Sequence, residues 1–74
     1  MIHFWEITPI QKEMIQILRK MKIDSFTITI ITDYMREDEE VQELKKFLLM
    51  NPKATTQEIH QQTEIIKQKL EKKK

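Results

Sequence analysis

Apolar residues recur at helical spacing near the start of the chain. Thr8 is a good N-cap, Pro9 suits the first helical turn, and Gln11 lies three residues after Thr8, as in a capping box. The apolar residues that follow are three or four positions apart, which places them on one helical face. These residues are Ile10, Met14, Ile17, Leu18 and Met21. The pattern predicts a first helix over residues 8–22.

The next apolar segment, residues 26–32 (FTITIIT), fits two secondary structures. Alternation of apolar residues with threonine favours a strand, whereas the same positions also fit a helix with a wide apolar arc, capped by Asp24 or Ser25. A strand would need a mate from the N-terminal segment or a second subunit, because a lone strand cannot satisfy its own backbone groups. We therefore favour a helix over residues 25–36. Its apolar arc contains Phe26, Ile28, Ile30, Ile31, Tyr34 and Met35.

Two further helices are predicted in the second half of the chain. Asp38 is placed to cap a helix over residues 38–51, which Asn51 and Pro52 end because the residue before proline disfavours helical dihedrals. Thr55 or Thr56 is placed to cap the last helix, over residues 55–72. The inner stripe of the third helix is Val41, Leu44 and Leu48, widened by Phe47, Leu49 and Met50, and the seam of the last is Ile59, Thr63, Ile66 and Leu70.

These segments predict an all-α fold, a compact bundle of three to four short helices in antiparallel arrangement. Seventy-four residues make a single domain over 1–74, with an apolar N-terminal segment at 1–7 and a frayed, Lys-rich end at 71–74. The absence of glycine agrees with this, since tight hairpin turns and phosphate-binding loops need residues that adopt positive φ at low cost. A glycine-free chain is most easily built from helices.

Composition excludes several classes of site and indicates a compartment. The chain has no cysteine, so disulfides and thiolate metal sites are excluded and a reducing compartment is indicated. We expect no signal peptide and no membrane-spanning helix, because no long uninterrupted apolar run is present. The cytoplasm is the predicted location.

Residues with catalytic or metal-binding chemistry are sparse and scattered. Ser25 is interpreted as a helix cap, and Glu39 and Glu40 as first-turn partners of the helix dipole. His60 and Glu64 share a helical face, but two ligands fall short of the four usual in a structural zinc site. We predict no catalytic residues, no metal site and no cofactor, and therefore a protein that is not an enzyme. No small-molecule partner is evident.

Two nucleic-acid interpretations remain open. In a helix-turn-helix, residues 63–65 would form the turn and residues 66–74 a basic recognition helix; in a ribbon–helix–helix, residues 26–32 would be a strand paired with a second chain. The helix-turn-helix usually has small residues where this chain has His60 and Glu64. The strand of the ribbon–helix–helix would lack the basic residues that attract the phosphate backbone. The cations of this alternative regulator are Lys67, Lys69 and Lys72.

A resemblance to known proteins extends over roughly half of the chain. The run from Asp24 to Ile59 resembles short, uncharacterised helical proteins of bacterial and prophage genomes. The shared positions are Ile28, Ile31, Met35, Asp38, Glu39, Glu40, Leu44, Phe47, Leu48, Asn51, Pro52, Ala54, Thr55, Glu58 and Ile59. The resemblance implies helix over residues 26–35 and no known activity.

The predicted function follows from surplus apolar surface. A domain of this size buries about 60–65% of the surface of its unfolded chain, which cannot hide every apolar face described above. We therefore expect a helical protein–protein interaction or regulatory module that binds a protein partner or associates with itself. The predicted interaction residues are Phe4, Trp5, Phe47, Met50, Ile59, Ile66 and Leu70.

Overall fold

The computed structural model describes residues 7–72 of the chain. Within this range it contains four α-helices and no strand, which confirms the predicted all-α bundle. The helices are α1 (Pro9–Lys20), α2 (Ser25–Tyr34), α3 (Asp38–Met50) and α4 (Thr56–Glu71).

The helix starts lie close to where the sequence predicted them. The Thr8 hydroxyl accepts a hydrogen bond from the Gln11 N–H at 3.1 Å, and Thr55 caps α4 in the same way. The Asp24 carboxylate accepts one from the Thr27 N–H at 2.9 Å and so caps α2. These side chains satisfy N–H groups that have no partner inside the helix.

The start of α3 differs from the prediction by one residue. Glu37, not Asp38, is the N-cap, and Asp38 is already the first helical residue. The Glu40 carboxylate accepts a hydrogen bond from the Glu37 N–H at 3.3 Å, which is the reciprocal half of a capping box. Asp38 and its two acidic neighbours therefore lie in the first turn, where negative charge is favourable.

Residues 26–32 are helical, as favoured, although six consecutive β-branched residues have low helix propensity. Two of the threonine hydroxyls find hydrogen-bond partners within the helix. Thr29 donates to the Ser25 carbonyl at 2.9 Å, and Thr32 donates to the Ile28 carbonyl at 2.7 Å. Helical spacing also places Ile28 and Ile31 in the core together, which strand alternation would not do.

The turn after α1 adopts a conformation that usually requires glycine. Lys22 has φ of 65°, in the left-handed region. The Ile23 N–H bonds to the Leu18 carbonyl at 3.1 Å and the Lys22 N–H to the Arg19 carbonyl at 2.9 Å. This pair of bonds is a Schellman motif, and Ile23 then packs against the core. A glycine-free chain thus makes a sharp helix end with a lysine.

The helices pack in a ring around one core. The packed pairs are α1 with α2, α1 with α3, α3 with α4, and α2 with α4. All four helices supply buried apolar side chains, so a single core joins them. The buried apolar side chains are Met14, Leu18, Ile28, Ile31, Met35, Val41, Leu44, Leu48, Ile59, Ile66 and Leu70, Met35 being the C-cap of α2.

Candidate functional site

A row of large apolar side chains lies on the solvent side of α2. Phe26, Ile30 and Tyr34 are exposed by 74%, 42% and 39% of their surface. Residues four apart on a helix are neighbours on its surface, so the three form a continuous strip, which we call the α2 stripe. Contiguous apolar surface of this kind marks interaction sites on soluble proteins more often than single exposed residues do.

The α2 stripe is exposed because α2 is apolar around most of its circumference. Thr27, Ile28, Ile31 and Thr32 are buried on its inner side. The helix packs against α1 and α4, so its remaining side has no helix beside it within residues 7–72. The apolar residues on that side stay in contact with solvent.

An open groove of about 370 Å³ runs along the boundary between α2 and α4. It is lined by Ile30, Asp33, Tyr34, His60, Thr63 and Glu64. The lining joins part of the α2 stripe to polar groups of α4, so the apolar strip has a polar border. Protein interfaces have this composition, with an apolar centre and a polar rim.

Tyr34 keeps the stripe uncharged. Partial burial, and after it the neighbouring Glu64 carboxylate, raise the pKa of the Tyr34 phenol above its ordinary value. The ammonium of Lys67 lies 4.8 Å from the centre of the Tyr34 ring, within the range of a cation–π contact. Since the phenol stays protonated at neutral pH, the stripe presents no ionised side chain of its own.

Lys67 also links α4 to α3. Its ammonium lies 3.0 Å from a Glu40 carboxylate oxygen, and the Glu40 side chain is only 6% exposed. A buried carboxylate needs a cationic partner, because loss of the lysine would leave the charge of Glu40 uncompensated. Lys67 therefore contacts both neighbouring helices, Glu40 on α3 and Tyr34 on α2.

Of the three cations of the nucleic-acid alternative, Lys67 is engaged inside the molecule, whereas Lys69 and Lys72 are exposed. Lys67 pairs with Glu40, and Lys69 lies 3.8 Å from Glu43 of α3. Lys72 follows the end of α4 and is exposed. The pair of Lys67 with buried Glu40 would have to be broken before this ammonium could bind a phosphate, whereas the exposed pair of Lys69 with Glu43 is weak.

Residues 63–65 and 26–32 do not form the elements that the two DNA-binding motifs require. Residues 63–65, the expected turn of a helix-turn-helix, lie inside α4, which continues unbroken from Thr56 to Glu71. Residues 26–32, the expected strand of a ribbon–helix–helix, lie inside α2. The backbone differs from both interpretations at the position that defines each motif.

The structure separates the residues that were predicted to bind a partner. Ile59, Ile66 and Leu70 are buried in the core, so the seam of α4 packs internally and is not open to a second molecule. Phe47 is half-buried against that core, and Met50 is 80% exposed at the end of α3. The two aromatic residues near the N-terminus, Phe4 and Trp5, lie outside the described residues.

The α2 stripe is absent from that predicted set. Its signal in the sequence is the width of the apolar arc, since a helix packed on two neighbours cannot bury side chains on every side. The arc was evident, but which half faces the core depends on how α1 and α4 pack. The packing of α1 and α4 on α2 is a property of the tertiary structure, which the sequence of α2 alone does not give.

Ligand-type side chains are dispersed among the described residues. Within residues 7–72 no three His, Asp or Glu side chains come together in a group that could hold a metal ion. The interpretation of Ser25 as a helix cap is wrong, because Asp24 caps α2 and Ser25 is its exposed first residue. The structure also shows, for the same residues, no helix with the length and apolar content to cross a bilayer.

Comparison with known proteins adds no family to this picture. No protein-family model, no curated protein and no solved structure matches the chain. The resemblance to short bacterial and prophage helical proteins therefore stays a prediction. Function has to be argued from the geometry of the surface.

Proposed function

We propose that the chain is a non-enzymatic protein–protein interaction module that associates with itself through the α2 stripe. The observation that carries this proposal is the exposure of Phe26, 74% of whose surface is open to solvent beside two further apolar residues of the same helix. Aromatic side chains are enriched at the centres of interfaces, where they contribute large apolar area.

The internal packing of the chain supports this proposal. Each helix contributes buried side chains to the core, and no buried side-chain nitrogen or oxygen within residues 7–72 lacks a hydrogen-bond partner. Within residues 7–72 the helices thus form a satisfied core with the stripe already presented on its surface. A preformed surface loses less conformational entropy on association.

The module is proposed to act in the cytoplasm. The chain contains no cysteine, which accords with a reducing compartment. Its net charge of +1 gives no general attraction to nucleic acid or to anionic membranes. A neutral apolar surface suits a protein partner better.

Phe26→Glu is expected to abolish self-association. A carboxylate on the stripe would lose its hydration on association, which costs free energy that the apolar phenylalanine does not cost. Sedimentation equilibrium from about 10 μM to 1 mM, the range suited to a small interface, should show the wild-type average mass rising above 9.1 kDa with concentration. The variant should remain at the monomer mass throughout.

Met50→Glu is the matched control. It places the same charge on another apolar side chain, which is 80% exposed but lies at the end of α3. This variant should associate like the wild type, and circular dichroism should show both variants folded, since neither position is buried. A wild-type chain that stays monomeric over the whole range, or dissociation by Met50→Glu and not by Phe26→Glu, contradicts the proposal.

A further inference from the structure

Residues 26–32 (FTITIIT) have a local preference for extended backbone, although they are helical in the folded chain. Residues 27–32 are all β-branched, and side chains of this type lose rotamer freedom in a helix and pack well on a sheet. The segment contains no charged residue, no proline and no glycine. We call residues 26–32 the β-branched segment.

The helical state of the β-branched segment depends on hydrogen bonds at both ends of α2. The helix has 10 residues, and isolated helices shorter than about 12–15 residues are marginal in water even with favourable composition. At its start, the Asp24 carboxylate accepts hydrogen bonds from the N–H and the hydroxyl of Thr27. At its end, the side-chain amide of Gln11, on α1, donates to the Thr32 and Met35 carbonyls. Loss of the bonds from α1 would therefore leave the local preference of the segment weakly opposed.

An extended β-branched segment would have a regular apolar face but no mate in its own chain. Alternate residues point to the same side of a strand, so Phe26, Ile28 and Ile30 would share one face. A strand needs hydrogen-bonded neighbours, and residues 7–72 contain no other strand that could supply them. The same segment of another copy has the required length and pattern.

We propose that the β-branched segment is a conformational switch, which is helical while Gln11 holds the end of α2 and which otherwise becomes extended and pairs with the same residues of other copies. Identical uncharged segments of high β-propensity stack in this way into cross-β assemblies, in which the backbone groups of each strand find partners above and below. Association through the α2 stripe uses the helical form, so the two proposals stand or fall separately.

Thr29→Lys separates the two states because it should act on them in opposite directions. Thr29 is exposed in the helix, and lysine has a higher helix propensity than threonine. In stacked strands about 4.8 Å apart, each new lysine would lie next to a copy of itself, and the like charges would repel one another. Gln16→Lys is the matched control, since it adds the same charge at an exposed position of α1.

The test begins from Gln11→Ala, which removes the two bonds from α1 to α2. This variant, alone and combined with Thr29→Lys or with Gln16→Lys, is agitated at one concentration beside the wild type, and thioflavin T fluorescence and circular dichroism are followed. Gln11→Ala should form thioflavin-binding fibrils and lose its helical signal under conditions in which the wild type stays helical. Adding Gln16→Lys should change the lag little, whereas adding Thr29→Lys should lengthen it at least about tenfold.

The location of the ordered core in the fibrils completes the test. A delay by Thr29→Lys alone, together with a protease-resistant core that contains residues 26–32, supports the switch. Equal delays by the two lysines would assign the effect to net charge and overturn it. A resistant core outside these residues, or a Gln11→Ala protein that forms no fibrils, also overturns it. The proposed association of helical α2 is judged by sedimentation of the wild type and is unaffected by these outcomes.

Discussion

Replacing Leu44 with alanine is expected to lower the free energy of unfolding by about 3 kcal/mol. Leu44 is fully buried on α3, the helix that packs against both α1 and α4. The loss combines the transfer free energy of the removed methyl groups with the cavity that they leave. A domain of this length has a total stability of about 4–11 kcal/mol, so the variant would retain only part of it. Thermal unfolding followed by circular dichroism should show a midpoint lower by about 10–25 °C.

Leu49→Ala on the same helix removes the same groups from a side chain that is 65% exposed. Its free energy of unfolding should differ from that of the wild type by less than about 0.5 kcal/mol. Equal effects at the two positions would mean that α3 does not present the face described here to the core. The pair of variants therefore tests the orientation of the helix, and not only its presence.

Replacing Gln11 with alanine is expected to lower the free energy of unfolding by about 2–3 kcal/mol. The Gln11 side-chain amide donates to the Thr32 carbonyl at 3.1 Å and to the Met35 carbonyl at 3.0 Å, and its oxygen accepts from the Thr8 N–H. One side chain thus completes the cap of α1 and satisfies carbonyls at the C-terminal end of α2. Because Gln11 is only 3% exposed, solvent cannot easily replace these bonds.

Urea unfolding of two further variants isolates the contribution of these bonds. Gln16→Ala alters an exposed glutamine of α1 and should be close to neutral. Gln11→Glu keeps the size of the side chain but directs a carboxylate at two carbonyl oxygens, so it should be at least as destabilising as Gln11→Ala. A stable Gln11→Glu protein would show that the donated bonds contribute little, and the link between α1 and α2 would need another explanation.

The helices could be predicted from the sequence because their determinants are local. The caps at Thr8, Asp24 and Thr55 act on N–H groups three residues away, and the apolar spacing of each segment is set by the helical repeat alone. In α2 the β-branched composition and the alternation of apolar residues favoured a strand. A helix was nevertheless predicted correctly, because a lone strand would leave its backbone groups without hydrogen-bond partners. Local side-chain chemistry and the requirement for backbone hydrogen bonds were thus sufficient to predict the helices.

The exposed surface could not be predicted because it depends on which helices become neighbours. The seam of α4 containing Ile59, Ile66 and Leu70 satisfies the same spacing rule whether it packs internally or against a second chain, and the ring arrangement buries it. The hydrogen bonds from Gln11 to α2 also depend on tertiary structure, since the carbonyls that accept them are 21 and 24 residues away in sequence. The capping box was visible in the sequence, but its bonds to α2 were not.

The residues that maintain the fold differ from those through which we propose that the chain binds. Leu44 and Gln11 contribute to stability and lie away from solvent, whereas Phe26, Ile30 and Tyr34 contribute little to the core and form the stripe. Variants of the first group should therefore change unfolding, with association altered only through the fraction folded. Variants of the second group should change association alone.

Amide chemical shifts measured as a function of concentration identify the surface through which the chain associates with itself. In ¹H–¹⁵N spectra recorded between about 20 μM and 1 mM, we expect concentration-dependent shifts centred on Phe26, Ile30 and Tyr34, with the amides of Leu49 and Met50 unchanged. Spectra that do not change with concentration, or changes centred on the end of α3, would contradict self-association through the α2 stripe.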